Sequence, residues 1–179
     1  MAGILKVDKY QDFNGNDIMT SDGAGNITIN NAALKNAPAF HVDTAITSFN
    51  TATHTTILYT SVDRDTASLY NAATGKFTVT DSTTGYYFIY AAFGTEAITA
   101  NRIQINLLSN FSGSDDKTIT CETQSDTSGY PAPNVCAVIP LLSSGDFVAV
   151  QGYQNSGGTI ALSGEDNKNF FGGYRIIGA

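Results

Sequence analysis

Few side chains in this sequence can make or break bonds, and they are widely scattered. His41 and His54 are the only histidines. They do not form His-Glu-x-x-His, in which two imidazoles one helical turn apart hold zinc beside a general base. A Ser-His-Asp triad assembles in space rather than along the chain, but His41 falls within a strand pattern. The nucleophile motif Gly-x-Ser-x-Gly is absent, and Phe111-Ser112-Gly113-Ser114 does not match it. No phosphate-binding loop or dinucleotide fingerprint occurs. Carboxylates gather only weakly: Asp63 and Asp65 flank Arg64, Asp115 and Asp116 are adjacent, and so are Glu165 and Asp166. None spells an EF-hand. Cys121 and Cys136 are too few for a zinc site and are not spaced as Cys-x-x-Cys. They either bridge neighbouring strands or remain two buried thiols, and the want of a secretory leader favours the thiols. The residues therefore predict a protein that is no enzyme, with no cofactor and no assigned metal.

Composition narrows the partners. Hydrophobic residues make up 42% and charged residues 14% of 179, against a usual charged fraction near 25%. Thr, Ser, Asn and Gln must supply the polar surface. Such a surface suits strands and turns, and it suits side-by-side packing, where few charges need desolvating. The net charge is −7, and nine Lys and Arg stand against sixteen Asp and Glu. Phosphate neutralisation needs clustered cations, so nucleic acid is an unsuitable partner, as is an anionic membrane surface. No apolar run approaches the roughly 18 residues of a membrane span, which predicts no membrane insertion. Residues 1–10 carry no basic stretch followed by an apolar one, so no signal peptide is expected.

The elements that must position these residues read as strands. Phe40, Val42, Thr44 and Ile46 alternate with polar residues. Thr55–Val62, Phe77–Thr80, Arg102–Leu108, Lys117–Thr123, Val135–Leu142, Asp146–Tyr153, Thr159–Leu162 and Phe170–Ile177 follow. Tyr86–Phe93 (YYFIYAAF) is a continuous apolar run between Gly85 and Gly94, as in a strand covered on both faces. Asn110–Asp116, Ser125–Asn134 and Gly164–Asn169 are loops by composition, and no stretch shows helical periodicity. About ten short strands predict an all-β sandwich or barrel. Before Pro38, Ile4-Leu5-Lys6-Val7-Asp8, Asn14-Gly15-Asn16-Asp17 and Gly23–Ile29 give short strand signals split by turns. That stretch is too small to fold alone. The division predicted is residues 1–36 as an attachment arm and 37–179 as a globular head.

Five blocks in the head resemble the C1q-like jelly-roll superfamily, in that family's order. They are Pro38-Ala39-Phe40, Tyr70-Asn71-Ala72-Ala73-Thr74-Gly75-Lys76-Phe77, Gly85-Tyr86-Tyr87-Phe88-Ile89, Gly145-Asp146-Phe147-Val148 and Phe171-Gly172-Gly173-Tyr174-Arg175-Ile176. Ile89 departs from the family's usual aromatic, a volume-tolerant change, and Asn110–Val135 is longer than is usual. The resemblance implies a jelly-roll sandwich that packs as a homotrimer about an axis lined by aromatic and aliphatic residues, and some relatives bind calcium. The apolar residues of YYFIYAAF serve either a central strand or such an interface. Tyr86, Phe88, Tyr90, Phe171 and Tyr174 are thus candidates for interface or core. The arm resembles the start of tailed-phage structural proteins, through Leu5-Lys6-Val7-Asp8 and Gly25-Asn26-Ile27-Thr28. Ile4, Leu5, Val7, Ile27 and Ile29 are its candidate attachment residues, and Asp115, Asp116 and Tyr130 mark candidate exposed binding loops.

The function expected is a virion structural protein. A trimeric jelly roll would be held through its arm to capsid or tail proteins, as shell decoration or a short fibre. It would sit on the exterior, made in the host cytoplasm, with a host surface glycan as a further partner. The alternatives are a secreted C1q-like module binding carbohydrate or protein, and a receptor-binding fibre tip.

Overall fold

Strand formation follows the period-2 burial of β-branched and aromatic residues. The computed structural model describes residues 8–29, 38–45, 48–110 and 117–176, and these carry sixteen strands and a single 3-10 turn at Asp166–Lys168. One sheet is assembled from β4 (Ala39–Ala45), β7 (Tyr59–Asp65), β10 (Gly85–Ala92), β13 (Asn134–Leu141) and β16 (Phe170–Arg175), in the order β13-β10-β16-β4-β7. The second runs β12-β11-β14-β9-β8, from β8 (Tyr70–Asn71), β9 (Lys76–Thr78), β11 (Ile98–Ser109), β12 (Lys117–Gly129) and β14 (Phe147–Gln154). The short β6 (Thr55–Thr56) joins the second sheet on β14, and β5 (Ser48–Phe49) pairs β15 (Ile160–Ala161) separately. Every pairing is antiparallel. The last strand, β16, lies in the centre of its sheet.

The two sheets enclose one core. Phe40 stacks on Phe77 with ring centroids 4.1 Å apart, and Phe171 meets Phe40 edge-on at 4.9 Å. Tyr59, Tyr87, Ile89, Ile103, Ile105, Leu107, Val148 and Val150 complete this interior, each fully buried. Buried aromatics of this size dominate the energetics of a small sandwich. Their polar tips are satisfied: Tyr59 Oη donates to the Ala92 carbonyl at 2.9 Å, and Tyr87 Oη donates to the Thr83 carbonyl. Tyr70 Oη donates to the Tyr59 carbonyl and accepts from its amide, which locks β8 onto β7 across the sandwich edge.

The segment Tyr70–Phe77 is a turn between paired strands. Asn71 accepts from the amides of Ala73 through Oδ1 and of Gly75 through its carbonyl. Gly75 has φ +68°, and a Cβ there would lie 2.9 Å from the Ile57 carbonyl. A residue with a side chain meets both strain and collision at that point.

Four sequence expectations need correction. Sixteen strands replace about ten, because three belong to the arm and several have only two residues. Thr55–Val62 is not one strand: β6 and β7 lie in different sheets, and Ile57-Leu58 crosses between them, with the Ile57 amide donating to the Val150 carbonyl at 2.8 Å. Ser125–Gly129 is not loop but the end of β12, since pairing with β11 carries a Ser- and Thr-rich stretch that composition reads as coil. Cys121, on β12, and Cys136, on β13, are free thiols, and Cys136 is exposed rather than buried.

The arm forms a three-stranded sheet of its own, β1 (Lys9–Gln11), β2 (Asp17–Ser21) and β3 (Ile27–Ile29). Its two turns repeat at a ten-residue offset. Asp12 accepts from the amides of Asn14 and Asn16 and from the Asn16 side chain. Asp22 does the same with Ala24, Asn26 and the Asn26 side chain. These bonds hold the Asp12 and Asp22 carboxyls below the usual carboxylate range. No helix among the described residues is long and apolar enough to cross a membrane.

Candidate functional site

Two strands with apolar side chains on both faces build the most distinctive surface. On β10, Tyr87, Ile89 and Ala91 point into the core, so Tyr86, Phe88 and Tyr90 must point out. The register with β16 sets Phe88 opposite Tyr174 and Tyr90 opposite Gly172. On the other flank Phe88 faces Val138 and Tyr90 faces Cys136. The outcome is an aromatic ladder on the outside of the sheet. Ring centroids lie 5.6 Å apart for Phe88–Tyr174, 6.3 Å for Phe88–Tyr90 and 6.1 Å for Tyr90–Phe170. Phe171, by contrast, is on the inner face and fully buried. Of the five candidate interface or core residues, Phe171 is core and the other four share the outer face.

Gly172 and Gly173 make room on opposite faces of β16. A Cβ on Gly172 would lie 2.5 Å from Tyr90 Oη, so its absence lets the Tyr90 ring lie against the sheet. A Cβ on Gly173 would meet Ile89 Cδ1 at 2.6 Å and the Phe88 carbonyl at 2.7 Å. The space these glycines leave is thus taken by side chains of the same chain.

A groove of about 460 Å³ runs along the ladder, lined by Phe88, Tyr90, Ala92, Cys136, Lys168 and Phe170 among others. Tyr86, Tyr174 and Val138 border it with 38%, 40% and 52% of their surface exposed. Scattered apolar residues on a surface are ordinary, but a contiguous aromatic patch marks an interaction site. Burial raises the Tyr90 phenol above the usual tyrosine range, against the opposing pull of Arg64.

On the far side of Tyr90 a second groove of about 490 Å³ holds His41, Asp63, Arg64 and Tyr174. His41 Nδ1 is hydrogen-bonded to Tyr90 Oη at 3.0 Å. Sequence reading did not join His41 to Asp63, because they stand on different strands; only the β4–β7 register brings them together. His54 sits apart, against Tyr153 on the other sheet with ring centroids 4.9 Å apart.

The other candidates are dispersed. Tyr130 is exposed, and Lys168 Nζ lies 5.9 Å above its ring, at the end of the groove. Asp115 and Asp116, and Ile4, Leu5 and Val7 in the arm, fall outside the described residues. Ile27 is exposed and Ile29 half-buried on β3, and both share a face with Tyr10 and Met19.

Comparison with known proteins agrees with this architecture. In solved structures the fold is similar to the globular domain of zebrafish complement 1qA, with a TM-score of 0.55 at 19% identity over 78% of this chain and 97% of that one. It is also similar to murine APRIL, with a TM-score of 0.60 at 16% identity over 77% and 98%. Eiger TNF from S. frugiperda gives a TM-score of 0.59 at 17% identity over 79% and 93%. At these identities the likeness is one of fold. No curated protein matches the chain in sequence. The family model described as the C1q domain matches residues 39–176, which include both sheets and the whole aromatic ladder, and the chain therefore belongs to the C1q domain family.

Proposed function

We propose that the chain is a non-catalytic assembly protein whose heads associate as a homotrimer through the outer aromatic face, with the arm fastening that trimer to a virion of a tailed phage. The observation that carries this reading is the ladder of Tyr86, Phe88, Tyr90 and Tyr174, apolar surface beyond what the core uses. C1q and TNF domains commonly form trimers without enzymatic activity, and burying such a face drives association in proportion to apolar area. The virion assignment is supported by the low charge, by the arm's separate sheet, and by its repeated Asp-x-x-Gly-Asn turns. The arm would supply capsid or tail contacts, and the loops would face outward.

Light scattering on the full chain should give three times the chain mass. Phe88→Asp, which places a charge in the middle of the face, should yield a folded monomer with an unchanged circular dichroism spectrum. A wild-type monomer at micromolar concentration would overturn the assembly reading. Mass analysis of purified particles should find the chain, and its absence from particles would remove the virion assignment while leaving the trimer intact. The second reading, a head that recognises glycan or protein, is favoured by Tyr130, an exposed ring beside a cation at the end of the groove. Glycan-array binding lost on Tyr130→Ala would select it.

A further inference from the structure

The geometry points to a divalent metal site built from His41, Asp43 and Asp63, on the outer face of β4 and β7 beside Tyr90. One ligand atom from each of the three lies within 4.8 Å of the other two. That spacing lets a single ion bridge all three without moving the backbone. The strands explain why. His41 and Asp43 stand two apart on β4, so period-2 geometry puts both on one face.

Asp63 reaches that face through an irregularity. His41 pairs with Arg64 and Val42 with Val62, which leaves Asp63 as the extra residue of a β-bulge. Regular alternation would send Asp63 and Arg64 to opposite faces, yet both line the same outer groove. A bulge re-aims a side chain in this way, and bulges concentrate beside functional sites. Here it turns a carboxylate toward an imidazole.

The imidazole is also held. Tyr90 Oη bonds His41 Nδ1 at 3.0 Å, and the ring of Phe170 stacks near it with centroids 6.3 Å apart. Metal-binding histidines are oriented by such a partner on one ring nitrogen. Two carboxylates and one imidazole form a mixed donor set. The nitrogen favours first-row ions such as Zn²⁺ over Ca²⁺ and Mg²⁺, which take oxygen ligands. Three protein ligands leave positions open for water. Arg64 in the same groove opposes the ion's charge and weakens its binding. This site does not rest on trimer formation, because all three ligands come from one chain.

The test is Zn²⁺ titration of the full chain by calorimetry, with Co²⁺ as a spectroscopic probe. One ion per chain should bind, with a Co²⁺ visible spectrum diagnostic of nitrogen and oxygen ligands. Asp63→Asn, at an exposed position, should weaken binding at least tenfold, and so should His41→Ala. His54→Ala, on the other sheet, should leave it unchanged. Tyr90→Phe keeps the ring but removes the hydroxyl, and should weaken binding by roughly tenfold. If His41→Ala fails to fold, Asp63→Asn alone decides. Absence of saturable binding below about 1 mM would overturn the site, as would binding insensitive to Asp63→Asn or displacement of Zn²⁺ by equimolar Ca²⁺.

Discussion

Gly172 and Gly173 are neighbours on β16, yet the same substitution at each should have different consequences. At Gly173 a new Cβ would lie 2.6 Å from Ile89 Cδ1, 2.7 Å from the Phe88 carbonyl and 3.2 Å from Phe40 Cε1. One of these is backbone in the middle of the sheet, and Ile89 and Phe40 are held in a filled core. Relief requires β16 and β10 to move apart, at the upper end of the overpacking range, about 3 kcal/mol. For a domain of this size that corresponds to a melting temperature roughly 6–12 °C lower. At Gly172 the closest contacts are Tyr90 Oη at 2.5 Å and Cζ at 2.6 Å, with the Phe40 carbonyl at 2.9 Å. An outward swing of the Tyr90 ring relieves two of these contacts and leaves only the Phe40 carbonyl, so Gly172→Ala should cost about 2 kcal/mol, or roughly 4–8 °C, less than Gly173→Ala. The swing reshapes the aromatic face and breaks the bond to His41. Gly172→Ala should therefore weaken self-association more than Gly173→Ala does, although it is the more stable variant. Differential scanning calorimetry and light scattering at one fixed protein concentration measure both quantities, since association itself shifts the melting point. A Gly173→Ala protein melting within a degree of wild type would refute the packing argument. Unchanged association of Gly172→Ala would refute the link between Tyr90 and the interface.

Other outcomes follow from single residues. Gly75→Ala combines a left-handed backbone with a Cβ 2.9 Å from a carbonyl, and should lower stability by about 1–3 kcal/mol in chemical denaturation. Burial pushes the Tyr70 phenol up to about 12. A group raised in the folded state contributes stability fully present below its unfolded pKa of about 10 and lost as pH rises through the folded value. Stability should therefore fall between pH 10 and 12, and Tyr70→Phe should flatten part of that slope in alkaline denaturation. In the arm the sign reverses. The Asp12, Asp17 and Asp22 carboxyls are lowered, mainly by hydrogen bonds to the Asn16, Lys9 and Asn26 side chains respectively. Their support is present above the ordinary carboxylate pKa near 4 and disappears as pH falls through the lowered values. The exchange protection factors of the Asn16 and Asn26 amides, taken against the intrinsic rate at each pH, should fall in acid, and Asp22→Asn should remove that pH dependence at Asn26.

The legible parts of the fold were those written in local pattern. Alternation along Phe40–Val42 marks the inner face of β4 without reference to any other strand, whereas Tyr86–Ala91 is apolar throughout, so period 2 opposes Tyr87 to Phe88 without saying which of them faces the core. The Asn71–Gly75 turn is local for the same reason. What depends on register was not legible. Nothing in the order of residues says that the chain changes sheets at Ile57-Leu58, or that Gly172 lies opposite Tyr90. Ser125–Gly129 shows the converse: its composition is that of a loop, and pairing to β11 overrides it. The His41–Asp43–Asp63 grouping is the most extreme case. Two of its members are separated by twenty residues, and the third condition, the bulge at Asp63, is a property of two strands rather than of either.

The same distinction bears on how the arm and head divide their work. The arm's sheet is made of contacts between residues a few positions apart, and both of its turns use one construction, an Asp side chain collecting two amides and an Asn. Short local sheets of three strands are marginal unless an apolar face is covered. Tyr10, Met19 and Ile27 share one face and remain well exposed, at 56%, 36% and 65%. Phe13, in the first turn, is exposed as well. The head, by contrast, closes its own core, and its contiguous aromatic surface lies along β10 and β16. Both parts thus carry apolar area that a lone chain leaves in water, but at different cost. The head's core is complete within one chain, so the head should fold without a partner. Under the proposed attachment, a partner that covers Tyr10 and Ile27 would supply the burial the arm sheet lacks, which would couple attachment to arm folding.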